Sequence, residues 1–251
     1  MKPISQPIIF MSGSKQARGV LHLPRTVNPP LVVGSHGLEG TMDSAKQTLL
    51  ARILPQAGIA FFRFDHLGCG RSTGNFLTDT SLDSRALDLV SAVRHILSLS
   101  VTDTRIALFG SSLGGATCIE SWDILTRDGI VPRGAVLCSA PVVSRTIVNL
   151  PTEANASRPA LPKRFFEQNL VFDVSGKATS MHSVLIFHGD MDEVVPVSNA
   201  HLLFKVVGNP KKLIIHKNGD HRMTSIRDQE EFETEALIWF KACFSPERDF
   251  S

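Results

Sequence analysis

Residues 105–115 read RIALFGSSLGG. An apolar run, Ile106-Ala107-Leu108-Phe109, stops at Gly110; two serines follow, and Gly114-Gly115 opens a helical pattern over residues 114–125. A run apolar on both faces suits a strand buried between two helix layers. The frame Gly110-Ser111-Ser112-Leu113-Gly114 is G-x-S-x-G between a strand and a helix, the setting in which this pattern holds a serine hydroxyl above a sheet edge. Flanking glycines are needed because side chains in so tight a turn would strike neighbouring backbone. The following helix aims its N-terminal N–H groups at the serine, where they would stabilise developing negative charge. Ser112 is therefore the candidate nucleophile; Ser111 falls at the wrong place in the frame. A plain strand–helix turn could carry the same glycines, so the rest of the chain must supply a base and an acid.

Outward from this turn the pattern repeats. Strand candidates lie at residues 31–35, 60–65, 105–110, 135–139, 184–188 and 212–216, with two weaker ones at 8–11 and 19–23. Helix candidates lie between them, near residues 44–56, 82–99, 114–125, 199–207 and 229–244. In the second, Leu82, Ala86, Leu89, Val93, Ile96 and Leu97 recur at three- and four-residue steps, which makes one apolar stripe. Pro29-Pro30 and Gly208-Asn209-Pro210 end helical pattern just before strands. Alternation of this kind predicts an α/β fold: a mostly parallel eight-stranded sheet with helices on both faces, in one domain over residues 1–251. Residues 141–183 break the alternation. They hold Pro151, Pro159 and Pro162 and one amphipathic piece, 161–174. A connection of this length usually has its own task, and it reads as a small cap insertion over the C-terminal edge of the sheet.

Composition narrows the function classes. The 251 residues are 43% hydrophobic and 20% charged, enough apolar material for a sizeable core. The 26 basic and 24 acidic side chains leave a net charge of +2, and no basic tract could follow a phosphate backbone, so no nucleic-acid partner is expected. Cys69, Cys118, Cys138 and Cys243 form no C-x-x-C pair, which argues against a zinc cluster or a disulfide framework. No metal-ligand spacing such as H-E-x-x-H occurs, and no cofactor is expected. The opening residues, MKPISQPIIFMSGSKQ, carry only a four-residue apolar run. That is too short for a signal peptide or a membrane span of about 20 residues, so a cytoplasmic location is expected.

A serine hydroxyl needs a base. Among nine histidines, His95 falls in a helical pattern and His216 in a strand, where packing explains them. His221, in Gly219-Asp220-His221-Arg222, follows the last strand and opens on the edge where parallel strands all end. The acid should lie between serine and histidine in chain order. His188-Gly189-Asp190-Met191-Asp192-Glu193 offers two carboxylates. Asp190 lies close to the strand, where it could brace the loop; Asp192 lies far enough out to reach His221 and fix its tautomer. His36-Gly37-Leu38-Glu39-Gly40 closes the strand at 31–35, and its backbone could aim the Leu38 N–H at a substrate oxygen beside that of Leu113.

GSSLGG, HGLEG, the run Asp65-His66-Leu67-Gly68-Cys69-Gly70-Arg71-Ser72, HGDMDEVVP and GDH resemble, in order, the signature segments of the α/β-hydrolase superfamily. Within it the chain is most similar to small bacterial esterases and acyl-peptidase-like hydrolases, some of which cleave feruloyl esters. The resemblance implies Ser112, Asp192 and His221 as a triad and Leu38 and Leu113 as oxyanion donors. It implies a chiefly structural role for Asp65 and the turn from Gly68 to Ser72. Relatives often carry arginine before the first glycine of that turn, and this chain has Leu67. The expected activity is hydrolysis of a small-molecule carboxylic ester, with thioester and peptide substrates as alternatives. A non-catalytic binding module on the same scaffold is the expectation of another class; a homodimer is compatible with either.

Overall fold

Eight strands form one sheet in the computed structural model, which describes residues 4–156, 158–246 and 250. Residues 1–3, the start of the N-terminal stretch, and residue 157, within the 141–183 segment, lie outside the described residues. The strands are β1 (Ile4–Ser12), β2 (Lys15–Leu23), β3 (Leu31–Ser35), β4 (Ala60–Asp65), β5 (Ile106–Ser111), β6 (Ala135–Cys138), β7 (Val184–Gly189) and β8 (Lys211–His216), arranged β1-β2-β4-β3-β5-β6-β7-β8. From β4 to β8 every pairing is parallel, so these strands end at one edge; β1 and β2 form an antiparallel extension. The helices are α1 (Ala45–Gln56), α2 (Phe76–Asp79), α3 (Leu82–Ser98), α4 (Leu113–Arg127), α5 (Lys163–Asn169), α6 (Ser198–Val206) and α7 (Ile226–Phe244).

The two-residue period of a strand divides the core. Phe61, Phe109, Val136 and Phe187 pack against Leu50 and Leu54 of α1 and Phe232, Trp239 and Phe240 of α7. Phe62, Leu108, Leu137 and Ile186 face the other way, toward Leu89 and Val93 of α3, Ile119 and Trp122 of α4 and Leu203 of α6. Both faces are buried, so the central strands read as largely apolar runs with little alternation. β1 and β2 read as weak fragments because Ser5, Gln6, Lys15, Gln16 and Arg18 stand on a largely exposed edge, yet they pair over nine residues each across a turn at Gly13 (φ +57°).

The 82–99 pattern forms α3, started by reciprocal capping: the Ser84 N–H donates to Ser81 Oγ (3.1 Å) and the Ser81 N–H to Ser84 Oγ (2.9 Å). Within 141–183 the helix is shorter than the 161–174 pattern. Pro162 precedes it, and it stops at Leu170, whose backbone leaves the helical region. Beyond it Asp173 forms an isolated β-bridge with Val143, and the Val174 N–H donates to the Val142 carbonyl (2.9 Å), which ties this stretch to the start of the segment. Leu67 packs into the apolar core rather than presenting a charge, and its N–H donates to Asp88 Oδ2 (3.0 Å). Among the described residues no helix is long and apolar enough to cross a membrane.

Candidate active site

β5 delivers Ser112 to the parallel edge, and α4 begins at the next residue. Ser112 adopts φ +53° and ψ −126°, left-handed backbone that a non-glycine residue occupies only under constraint. The constraint is visible: its N–H donates to the Cys138 carbonyl and its own carbonyl accepts from Gly115, both at 2.8 Å. The glycines are there for space. A Cβ on Gly115 would come within 2.5 Å of Ala140 Cβ, and one on Gly114 would collide with the Ser35 carbonyl.

Ser112 Oγ lies 3.0 Å from His221 Nε2, and His221 Nδ1 lies 2.9 Å and 3.0 Å from the two oxygens of Asp192. The loops after β7 and β8 hold these groups side by side. The Met191 N–H donates to the Gly219 carbonyl (3.0 Å), and a Cβ on Gly189 would strike Gly219 backbone. The Asp192 side chain is 0% exposed and that of His221 13%. Burial works against ionisation of Asp192, but bonds from His188 and His221 and from the Val195 backbone outweigh it and hold the carboxyl well below the usual range. An ionised carboxylate only accepts, so Nδ1 of His221 carries the ring proton and Nε2 is left to accept from the serine hydroxyl. Asp190 does something else: its Oδ1 accepts from the Asn218 N–H at 2.6 Å and braces the turn after β8. His95 stacks on Phe10, and His216 is buried beside Asp228 and Glu231.

Sequence reasoning passed over His188, whose Nε2 lies 2.7 Å from the Val195 carbonyl and 3.3 Å from Asp192 Oδ2. Both neighbours are acceptors, so Nε2–H donates and Asp192 sits between two imidazoles. It also passed over His36. The His66 N–H donates to His36 Nε2 (3.2 Å), which leaves the proton on Nδ1, donating to the Gly37 carbonyl (2.8 Å). Burial, and then the Arg85 guanidinium, push the His36 pKa well down, so the neutral form persists. In a trans peptide the C=O and the next N–H point opposite ways, so anchoring the Gly37 carbonyl also sets the Leu38 N–H. This loop passes beside the serine, since a Cβ on Gly37 would stand 3.2 Å from Ser112 Cβ. The Leu113 N–H is in the first turn of α4, where no intrahelical acceptor exists.

A cavity of about 770 Å³ opens on this group. Its lining includes Leu150, Phe166, Leu170 and Phe172 of the 141–183 segment together with Lys46, Gln47 and Arg222. A hydroxyl bonded to an imidazole that is bonded in turn to a carboxylate, with main-chain N–H groups close by, is an arrangement able to carry acyl transfer.

The order of strands and the serine turn define an α/β-hydrolase. The family model described as serine aminopeptidase, S33 (Hydrolase_4) matches residues 28–181, more than half of the chain, and the chain belongs to that family. It is 29% identical over 194 residues to the uncharacterized protein YfhR of Escherichia coli (strain K12), an alignment covering 76% of this chain and 62% of the relative. The chain thus spans less than two thirds of the length of these curated relatives. It is 24% identical over 218 residues to the mitochondrial palmitoyl-protein thioesterase ABHD10 of Rattus norvegicus, covering 79% of this chain and 71% of that one. Among solved structures it resembles Est1E from Butyrivibrio proteoclasticus with bound ferulic acid, at a TM-score of 0.77 and 22% identity, over 93% of this chain and 97% of the other. At that identity the likeness concerns the fold.

Proposed function

We propose that this protein is a serine hydrolase that cleaves a small carboxylic ester through an acyl-enzyme intermediate. The observation that carries the reading is the unbroken chain from Ser112 Oγ through His221 to Asp192, with contacts of 2.9–3.0 Å. His221 takes the Ser112 proton as the oxygen attacks the ester carbonyl; the N–H groups of Leu38 and Leu113 receive the oxyanion; His221 then protonates the leaving alcohol. Water attacks the acyl-enzyme by the same route in reverse. Asp192 holds the imidazole in the required tautomer and stabilises its cation. The segment 141–183 serves as a cap whose Phe166, Leu170 and Phe172 bind the apolar portion of the substrate. A thioesterase reading uses the same residues and draws support from the name of the rat relative.

A fluorophosphonate probe tests the reaction. The folded protein is expected to be labelled at one serine, with labelling and p-nitrophenyl ester turnover both lost on Ser112→Ala. Removal of a triad member costs roughly 10⁴–10⁶-fold in such enzymes, so a loss under about tenfold would remove Ser112 from the mechanism. A folded protein that is neither labelled nor active would favour a binding module. Paired oxygen esters and thioesters of one acyl chain separate the two enzymatic readings.

A further inference from the structure

The cavity lining is both apolar and polar. Besides the apolar residues of the 141–183 segment, the lining includes Lys46 and Gln47 from the first turn of α1, Ser111 from the end of β5 and Arg222 from the His221 loop. Two of these side chains hold unused bonding capacity. Gln47 is 1% exposed, and among the described residues neither its Nε2 nor its Oε1 has a hydrogen-bond partner. Folded proteins seldom leave a buried carboxamide idle, since it offers two donors and a two-lone-pair acceptor. The carboxamide lies against Gly34 and near Phe61: a Cβ on Gly34 would collide with Oε1 and stand 2.8 Å from the Phe61 ring. Lys46 Nζ, with three donors, makes one bond, to the Arg222 carbonyl (3.0 Å), and among the described residues forms no ion pair within 4.0 Å. Burial lowers its pKa, and the carboxylates of Asp220 and Asp192 oppose the fall.

The nearby anions are already engaged. Glu39 is held by Arg158 and Arg222, and Asp220 binds the Thr224 N–H and hydroxyl. A half-buried cation with free donors and an unpartnered buried amide in the lining of the cavity that also holds Ser112 suit an anion.

We infer that this recess is the subsite for a carboxylate carried by the substrate, which is thus an ester with a hydrocarbon portion against Phe166, Leu170 and Phe172 and an anionic group seated between Lys46 and Gln47. The inference rests on the ester-hydrolase reading and gives it a substrate class. The carboxylate could belong to the acyl or to the alcohol portion, and two substrate pairs distinguish these: monophenyl succinate against phenyl 4-methylpentanoate, and 4-acetoxybenzoate against p-tolyl acetate.

The readout is the ratio of kcat/KM for the anionic over the neutral ester in each pair, which cancels general damage to the site. In one pair that ratio is expected to fall by about tenfold or more on Lys46→Gln, and by a smaller factor on Gln47→Leu. In the wild type it is expected to fall as salt rises toward about 1 M, where the screening length shrinks to about 3 Å. A change of less than about twofold in both pairs on Lys46→Gln would overturn the subsite. Calorimetric titration of Ser112→Ala with monophenyl succinate and 4-acetoxybenzoate is independent of turnover. One of them is expected to bind about tenfold more tightly than to the Ser112→Ala, Lys46→Gln double variant; equal affinity for both would refute the inference. If even neutral esters stay intact, the hydrolase reading fails while the titration still answers for the subsite.

Discussion

Glu39 Oε1 accepts from Arg158 Nη2 at 2.7 Å, and this pair ties the loop after β3 to the 141–183 segment. The Arg158 side chain is 1% exposed and also donates to the carbonyls of Pro151, Glu153 and Pro159. On the other side Arg222, next to His221, reaches Glu39 Oε2 at 3.3 Å. One carboxylate thus touches three loops around the cavity: its own, the proposed cap and the loop of the proposed base.

Because Arg158 is a hub rather than a surface charge, its loss leaves three carbonyls without their donor. Arg158→Met is expected to destabilise the segment by about 1–3 kcal/mol. Amide exchange over residues 150–160 should quicken, and kcat/KM should drop more for bulky esters than for phenyl acetate. Unchanged exchange across that stretch would show that the pair is not what holds it.

The left-handed backbone of Ser112 predicts a stability change independent of catalysis. Such conformations cost about 1–3 kcal/mol for a residue with a Cβ, while glycine gives back about 0.5–1 kcal/mol through its looser unfolded chain. Ser112→Gly is therefore expected to exceed Ser112→Ala in stability by about 1 kcal/mol in urea titrations, both being inactive. Equal midpoints would mean that the turn stores no strain.

The two carboxylates of the β7 loop should separate in kinetics. Asp192→Asn removes the acceptor that sets the His221 tautomer, and a fall of about 10⁴-fold in kcat is expected, as in other triads. Asp190→Asn loses part of one bond to the Asn218 N–H, and its activity should stay within about tenfold of wild type. Similar losses for both would assign the acid wrongly.

Stability should decline from mildly acidic pH downward. His22 accepts from Arg63 Nε at its Nε2 (3.0 Å), and burial followed by the Arg63 charge lowers its pKa to about 4. Between that value and the unfolded one near 6.5 the unfolded chain binds the extra proton, so stability is complete above about pH 6.5 and is lost as pH falls toward 4. His36 and His66, both held neutral by burial, act in the same direction. His22→Gln is expected to lessen the slope of unfolding free energy over this range by up to one proton, about 1.4 kcal/mol per pH unit. An unaltered slope would place the acid sensitivity elsewhere.

The legible parts of this protein are those governed by neighbours in the chain. Strand and helix positions follow from two- and 3.6-residue periods, and Leu31–Ser35 and Ala60–Asp65 begin and end where the apolar runs do. The four-residue α2 was not legible, because a single turn has no period to detect; its start is held by Asn75, whose Oδ1 accepts from the Leu77 N–H and whose N–H donates to Asp79 Oδ2. The serine turn was legible because its glycines answer to local crowding, and Ser112, Asp192 and His221 because parallel strands bring their following loops to one edge.

From order and spacing alone came the layered α/β sheet, the turn at Ser112 and a short choice of partners for it. The same reasoning preferred Asp192 to Asp190; folding alone placed the proton of His36 on Nδ1, set His188 against Asp192, closed Glu39 on Arg158 and left Lys46 and Gln47 in the cavity lining. Those contacts join residues as far as 119 positions apart. Periodicity and turn chemistry act over a few residues, whereas the direction of a buried side chain is settled by whatever packs against it from elsewhere in the chain.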